Sequence, residues 1–212
     1  MSRPQTELTR ARHKESTNRA ELDALLDAVH IAHVGLVADG HPVVLPTACA
    51  RDGDRLLIHG STGAGWLRRL TDGADACITV TAFDGLVVAR SAFESSMHYR
   101  SAVLFGRLAP VTDPEQALHV LTDALIPGRT SEIRRPSAKE LAATTVLALP
   151  IERWSLKLSA KWPEDGDEDV AGDAWAGVLP ISSRYGAPLP APDLRAGIEV
   201  PPSISALSDR VR

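Results

Sequence analysis

The sequence predicts a mainly β protein (α+β) of six to seven antiparallel strands closed into a small barrel, with a few short peripheral helices. Two observations carry that prediction. Apolar residues recur at a period near two through several short segments between residues 33 and 158, the signature of half-buried strands. Asp-Gly pairs at 39–40, 52–53 and 84–85 punctuate them, and such pairs favour the tight turns of hairpins because Gly tolerates positive φ. Hairpin-linked strands are antiparallel neighbours, which helical crossovers would not supply.

The elements follow in order. Asn18 and Glu21 have capping-box spacing, and Leu22, Leu25, Leu26 and Val29 then fall on one helical face. Strands are expected over 33–38, 42–50 and 55–59, with a short helix from about Trp66 to Gly73. The 84–85 pair is read as a turn joining strands 76–83 and 86–93, and a longer strand covers 99–111. Asp113, with Pro114 at the first helical position, starts a helix whose stripe is Leu118, Leu121, Leu125 and Ile126. Ser137 and Glu140 open another short helix. A last strand spans 145–158, broken at Pro150.

Beyond Lys161 the pattern changes. An acidic run occupies 164–169, and six of the 15 prolines lie at or beyond residue 180, so this stretch reads as an extended arm and not a second domain. The domain plan is an N-terminal extension (1–16), a barrel domain (17–162) and an acidic loop with a proline-rich arm (163–212), which docks on the barrel or on a partner subunit.

Composition excludes several classes. A formal charge of −4, from 27 acidic and 23 basic residues, argues against a general nucleic-acid binder. No apolar run is long enough to span a bilayer, and residues 1–17 lack the apolar core of a secretory leader, so no membrane association and a cytoplasmic location are expected. Cys49 and Cys77 are too few for a disulfide framework and read as free thiols. His30, His33 and His41 lack partners at metal-ligand spacing, so no metal site is expected. Only nine aromatic rings are present to stack against any planar ligand.

Two stretches depart from ordinary strand–turn grammar. Residues 60–65, Gly60, Ser61, Thr62, Gly63, Ala64 and Gly65, join a strand to a helix. Small residues there let backbone N–H groups approach an anion, with Ser61 and Thr62 as hydroxyl donors and Arg68 and Arg69 as cations, so the loop is either a phosphate cradle or a plain surface turn. Its glycine spacing is not the dinucleotide fingerprint, and no P-loop or nucleophile elbow occurs. The second stretch, 91–101, crowds Glu94, His98, Tyr99, Arg100 and Ser101 between apolar strands; it lines a pocket or forms the solvated tip of a hairpin.

Four motifs occur in register: His59-Gly60-Ser61-Thr62-Gly63 with Trp66, Leu67 and Arg68; Asp84-Gly85 through Phe93; Met97 with Tyr99, Arg100, Ser101 and Phe105-Gly106; and Trp175 through Pro180. Over about residues 10–182 this pattern resembles the pyridoxamine 5′-phosphate oxidase-related flavin-nucleotide-binding proteins, the branch that includes nitroimidazole-resistance proteins. The resemblance implies a split β-barrel homodimer holding FMN at the subunit interface. It implies that Val44, Leu45, Pro46 and Thr47 face the isoalloxazine ring with backbone groups, that His59, Gly60, Ser61, Thr62 and the helix start at Trp66 hold the ribityl phosphate, and that Ser101 and Lys157 lie near the flavin. The family usually has Arg just before the position of Trp66, where this chain has Gly65; Arg68 or Arg69 is the expected substitute.

The activity so implied is that of a flavin-dependent oxidoreductase acting on a small molecule, in which the cofactor does the chemistry and the protein orients it. The alternative is a non-catalytic module binding flavin, deazaflavin or haem in the same cleft. Among the rings, Trp66 is the first candidate for stacking, ahead of Tyr99, Trp154, Trp162 and Trp175. Trp175 is expected to dock its apolar island against the barrel or a second subunit.

Overall fold

The computed structural model describes residues 12–208. After one turn of 3-10 helix, β1 (Glu15–Ser16) leads into α1 (Arg19–Ala28). The Asn18 side chain accepts from the Ala20 N–H at 3.0 Å. The capping box is not completed there: Glu21 takes the Ser16 hydroxyl, whose oxygen in turn accepts from the Asn18 N–H. Leu22, Leu25 and Leu26 bury one face of α1, as their spacing requires.

Three strands and a helix follow: β2 (Ile31–Ala38), β3 (His41–Asp52), β4 (Arg55–Ser61) and α2 (Gly65–Thr71). At the β2–β3 hairpin Asp39 and Gly40 both have positive φ, 51° and 80°, the geometry of a type I′ turn. In the β3–β4 hairpin the pairing Asp52↔Arg55 puts Gly53 and Asp54 in the loop, one residue later than the sequence suggests. Gly53 carries the positive φ of 59° at the first loop position. α2 ends at Thr71, and Gly73 just beyond its cap, with φ of 88°, forms the left-handed stop.

The third Asp-Gly pair is not a turn. β5 (Asp75–Val88) runs straight through it, with a register shift against β6 (Ser96–Arg107) between Phe83 and Gly85. Asp84 is thus the extra residue of a β-bulge, and the chain reverses later, around 89–95. Gly85 serves another purpose. A Cβ there would lie 2.7 Å from the Leu179 carbonyl oxygen, because the strand from the C-terminal arm packs at this point.

After β6 come β7 (Ala109–Pro110), α3 (Pro114–Leu125), α4 (Ala138–Ala142), β8 (Thr144–Pro150) and β9 (Trp154–Ser159). Asp113 caps α3 by accepting from the Gln116 N–H, and Ser137 with Glu140 completes a capping box on α4. The single strand expected over 145–158 is two strands with different neighbours, β8 on β4 and β9 on β6. The arm holds α5 (Asp167–Val170), β10 (Gly177–Pro180) and α6 (Pro202–Ser208).

All pairings are antiparallel, in the order β1-β9-β6-β5-β2-β3-β4-β8-β7, with β10 on β5. Seven strands are long; β1, β7 and β10 are short additions, which raises the total among the described residues to ten. β5 shares one edge between two partners, β2 along Ala76–Thr79 and β10 along Gly85–Val88. The Phe105 N–H donates to the Arg153 carbonyl at 2.9 Å, linking β6 to the β8–β9 turn. The core is a cluster of Leu, Ile, Val and Ala from α1, α2 and the strands, closed over by Leu104, Leu147 and Leu156. Each buried Leu, Ile or Val among them contributes about 1.5–3 kcal/mol of transfer free energy. A smaller cluster seats Ala117 and Leu121 of α3 on Ala50, Leu57 and Val146.

Candidate functional site

The strand register divides the expected site residues between two faces. On β2, Ala32, Val34 and Leu36 point into the core, so Ile31, His33, Gly35 and Val37 point outward. Residues directly opposite in a ladder share a face. Val44 stands opposite Gly35, Pro46 opposite His33 and Ala48 opposite Ile31, so these β3 residues lie on the outer face. Val44 is 64% exposed and Ile31 58%. Leu45 and Thr47 instead pair with the inward residues Val34 and Ala32. Leu45 packs on the core, and the Thr47 hydroxyl donates to the His59 carbonyl at 3.4 Å. Only alternate members of the 44–47 segment therefore present side chains to the outer face.

Ser101 stands opposite Thr81 on one side and opposite Lys157 on the other, and Lys157 in turn pairs with Glu15. Continuing the β2–β5 register by two residues beyond His33↔Thr79 brings Thr81 level with Ile31. The β3–β4 register, continued by one residue past Cys49↔Ile58, brings Ala48 level with His59. One row therefore crosses the outer face: His59, Ala48, Ile31, Thr81, Ser101 and Lys157. The hydroxyls of Thr81 and Ser101 are 3.1 Å apart, and Lys157 Nζ lies 5.9 Å from the centroid of the Tyr99 ring. Lys14 Nζ lies at 5.9 Å from the same ring. Tyr99, two residues before Ser101 on β6 and so on the same face, and Phe83, directly opposite it on β5, are aromatic rings beside this row.

His59 ends the row on β4. Its Nδ1 is buried without a hydrogen-bond partner, and burial lowers its pKa, which favours the neutral ring. Gly60 is needed beneath the helix that follows: a Cβ there would lie 2.6 Å from a Leu67 methyl.

The 60–65 loop is a tight turn whose donors are mostly used. Thr62 N–H bonds to the Ala143 carbonyl, Gly63 N–H to Ser61 Oγ, and Ala64 N–H to the Ser61 carbonyl. Ser61 thus acts as a local acceptor, and β4 extends to it, two residues past the expected end. Thr62 is exposed. The two arginines separate cleanly. Arg69 is held by both carboxylate oxygens of Asp39 at 2.6 and 2.8 Å, whereas Arg68 is exposed and makes no ion pair among the described residues. Trp66 is half-buried against the core, its ring near Gly60.

Other expectations resolve locally. His98 Nε2 bonds to the Lys161 carbonyl at 2.8 Å. The Trp175 ring is 68% exposed and lies over Gly177, so the apolar island docks through the backbone ladder of β10 and not through the indole. Cys49 is buried and its thiol is pushed up to about 12, which makes it inert; it and Cys77 are both free. Among the described residues no cluster of His, Cys, Asp or Glu is arranged to hold a metal ion, and no helix is long and apolar enough to cross a membrane. Thr81 and Ala48 carry no motif, and only the strand register places them in the row.

A family model described as pyridoxamine 5′-phosphate oxidase matches residues 18–158. The chain belongs to that family. Two solved structures are similar along nearly the whole chain. The FAD and haem binding protein from Mycobacterium smegmatis is 55% identical, covering 92% of this chain and 97% of its own, with a TM-score of 0.89. The flavocytochrome Anf3 from Azotobacter vinelandii is 36% identical, covering 95% of each chain, with a TM-score of 0.89. A nitroimidazole-resistance-type protein from Bacteroides thetaiotaomicron is 20% identical over 68% of this chain and 85% of its own, with a TM-score of 0.55, which shows the shared split-barrel fold. No curated protein is similar enough in sequence to count as a relative.

Proposed function

We propose that this member of the pyridoxamine 5′-phosphate oxidase family binds a flavin and haem, and works as an oxidoreductase in the form of a cytoplasmic homodimer. The observation that carries the proposal is the row from His59 to Lys157. It gathers an imidazole, two hydroxyls, an ammonium and a neighbouring tyrosine on a sheet face that holds exposed apolar residues such as Val44 and Ile31. A monomer has no reason to leave such a face bare, and a second copy laid on it would turn the open row into a cleft.

The residues suit a flavin. Ser101 and Thr81 offer hydrogen bonds to ring heteroatoms, Lys157 offers a positive charge to an electron-rich ring, and Tyr99 offers a stacking surface. Arg68 is the cation left for phosphate, since Arg69 is committed to Asp39 and Gly65 offers none. The bound flavin would accept and pass on electrons, and the chain's part is to orient it and exclude water. The resemblance read from the motifs implies FMN. The full-length similarity to an FAD and haem binding protein favours FAD as the flavin here.

The test is to purify the protein, record its absorbance spectrum and identify the extracted chromophores by chromatography. FAD together with haem supports the proposal, and FMN would revise the flavin. A colourless protein that takes up neither added flavin nor added haem would sink it. Reduction followed by reoxidation with an electron acceptor, over many turnovers, separates an oxidoreductase from a module that only holds its cofactors.

A further inference from the structure

Two segments distant in the chain are tied together beyond Tyr99. One is the β5–β6 connection, residues 89–95, and the other is the start of the arm after β9. Asp165 accepts from the Arg90 N–H at 2.9 Å and from Arg90 Nη1 at 3.1 Å, and its side chain is only 1% exposed. A carboxylate so buried is stable only when it is paired and hydrogen-bonded, so this clasp fixes the two segments as walls. His98 on β6 adds a second tie, through the Lys161 carbonyl. Between the walls lies a cavity of about 160 Å³. Ser159 lines it, buried, and its hydroxyl accepts from Lys14 Nζ at 3.0 Å. Glu94 lines it from the connection, and the rings of Phe93 and Trp162 line it with most of their surface bare, 90% and 73% exposed. Ser159 stands opposite Tyr99 on the β6–β9 ladder, two residues from Lys157, so the cavity adjoins the row at a distance of about 7 Å.

The charges and the size say what the cavity takes. Lys161 is already engaged by Glu164 at 2.9 Å. Lys14 and Glu94 line the same cavity, yet neither makes an ion pair among the described residues, with the other or with any third group. The cavity thus presents one ammonium and one carboxylate with space between them. An ammonium suits an anionic group, and a carboxylate, which only accepts, suits a hydroxyl or amino donor. A cavity of about 150 Å³ holds one benzene ring, and the bare faces of Phe93 and Trp162 favour a planar ligand. We propose that this cavity binds a small aromatic carboxylic acid that carries a hydroxyl or amino group, its carboxylate on Lys14 and Ser159 and its donor on Glu94. The site lies beside the flavin row and does not depend on the flavin reading.

The experiment titrates the full chain, as purified, with para-hydroxybenzoate in a calorimeter. Benzoate and phenol serve as probes that each lack one of the two polar groups. The wild type is expected to bind para-hydroxybenzoate about tenfold more tightly than either of them. Lys14→Met should lose the preference over phenol, and Glu94→Ala the preference over benzoate. Both side chains are part-exposed, and melting curves confirm that the variants fold; the three probes on the wild type decide the matter should one of them not. No binding of para-hydroxybenzoate at about 1 mM would overturn the proposal. So would equal affinity for all three probes, or folded variants that bind like the wild type.

Discussion

Lys157 stands directly opposite Ser101 across the β6–β9 ladder, and its ammonium sits 5.9 Å from the centre of the Tyr99 ring. Hydroxyl, cation and aromatic ring thus meet on one outer sheet face, fixed by register and not by a flexible loop. Lys157→Met keeps the stem and removes the charge. It is expected to weaken flavin binding about tenfold, near 1.4 kcal/mol, with the melting temperature unchanged. A fluorescence titration with FAD checks this.

The two arginines of α2 should behave differently. Arg68→Ala is expected to weaken flavin binding, because Arg68 is exposed on α2 beside the 60–65 loop and makes no ion pair among the described residues. Arg69→Ala should leave affinity unaltered, since Arg69 is already engaged by Asp39 at the β2–β3 hairpin. Side-by-side titrations of the two variants decide which arginine replaces the family's missing one.

Much of the fold was legible because its causes are local. The leucine spacing of α1, the Asp39-Gly40 turn, the Gly73 stop and the Ser137–Glu140 box each depend on residues a few positions apart. Asp84-Gly85 misled because its cause is distant: Gly85 makes room for Leu179, a neighbour from the arm. The candidate site was half legible for a related reason. Motif positions pointed to 44–47, Ser101 and Lys157, but only the register separates Val44 and Pro46, on the outer face, from Leu45 and Thr47. Charge partners were also hidden, so Arg68 and Arg69 looked equivalent until Asp39 was seen to hold one of them.

Gly85→Ala tests the account of the bulge. The new methyl would meet the Leu179 carbonyl oxygen at 2.7 Å and Pro180 Cα at 3.1 Å, both backbone atoms that cannot swing aside. Overpacking of this kind costs about 1–3 kcal/mol. At about 2–4 °C per kcal/mol for a chain of this size, thermal unfolding should shift down by several degrees. Hydrogen exchange should show the loss concentrated in β10.

The Glu132 clasp on α6 should be sensitive to acid. Hydrogen bonds from Ser203, with further help from Arg129, hold the Glu132 carboxyl below its ordinary value of 4.5. A depressed carboxylate contributes stability that is fully present above the unfolded value and is lost as pH falls through the folded one. Amide protection of α6 should therefore be constant above pH 4.5 and fade on further acidification, whereas Glu132→Gln should weaken it at neutral pH. Exchange read by mass spectrometry follows both.

The outer sheet face as the flavin site is tested most directly by Ser101→Glu. This change sets a carboxylate between Thr81 and Lys157, on an outward position where the core is untouched. Titration of FAD into the wild type and the variant, with melting curves in parallel, gives the answer. The account predicts that the variant melts like the wild type and no longer binds flavin. Flavin affinity equal to that of the wild type would contradict it.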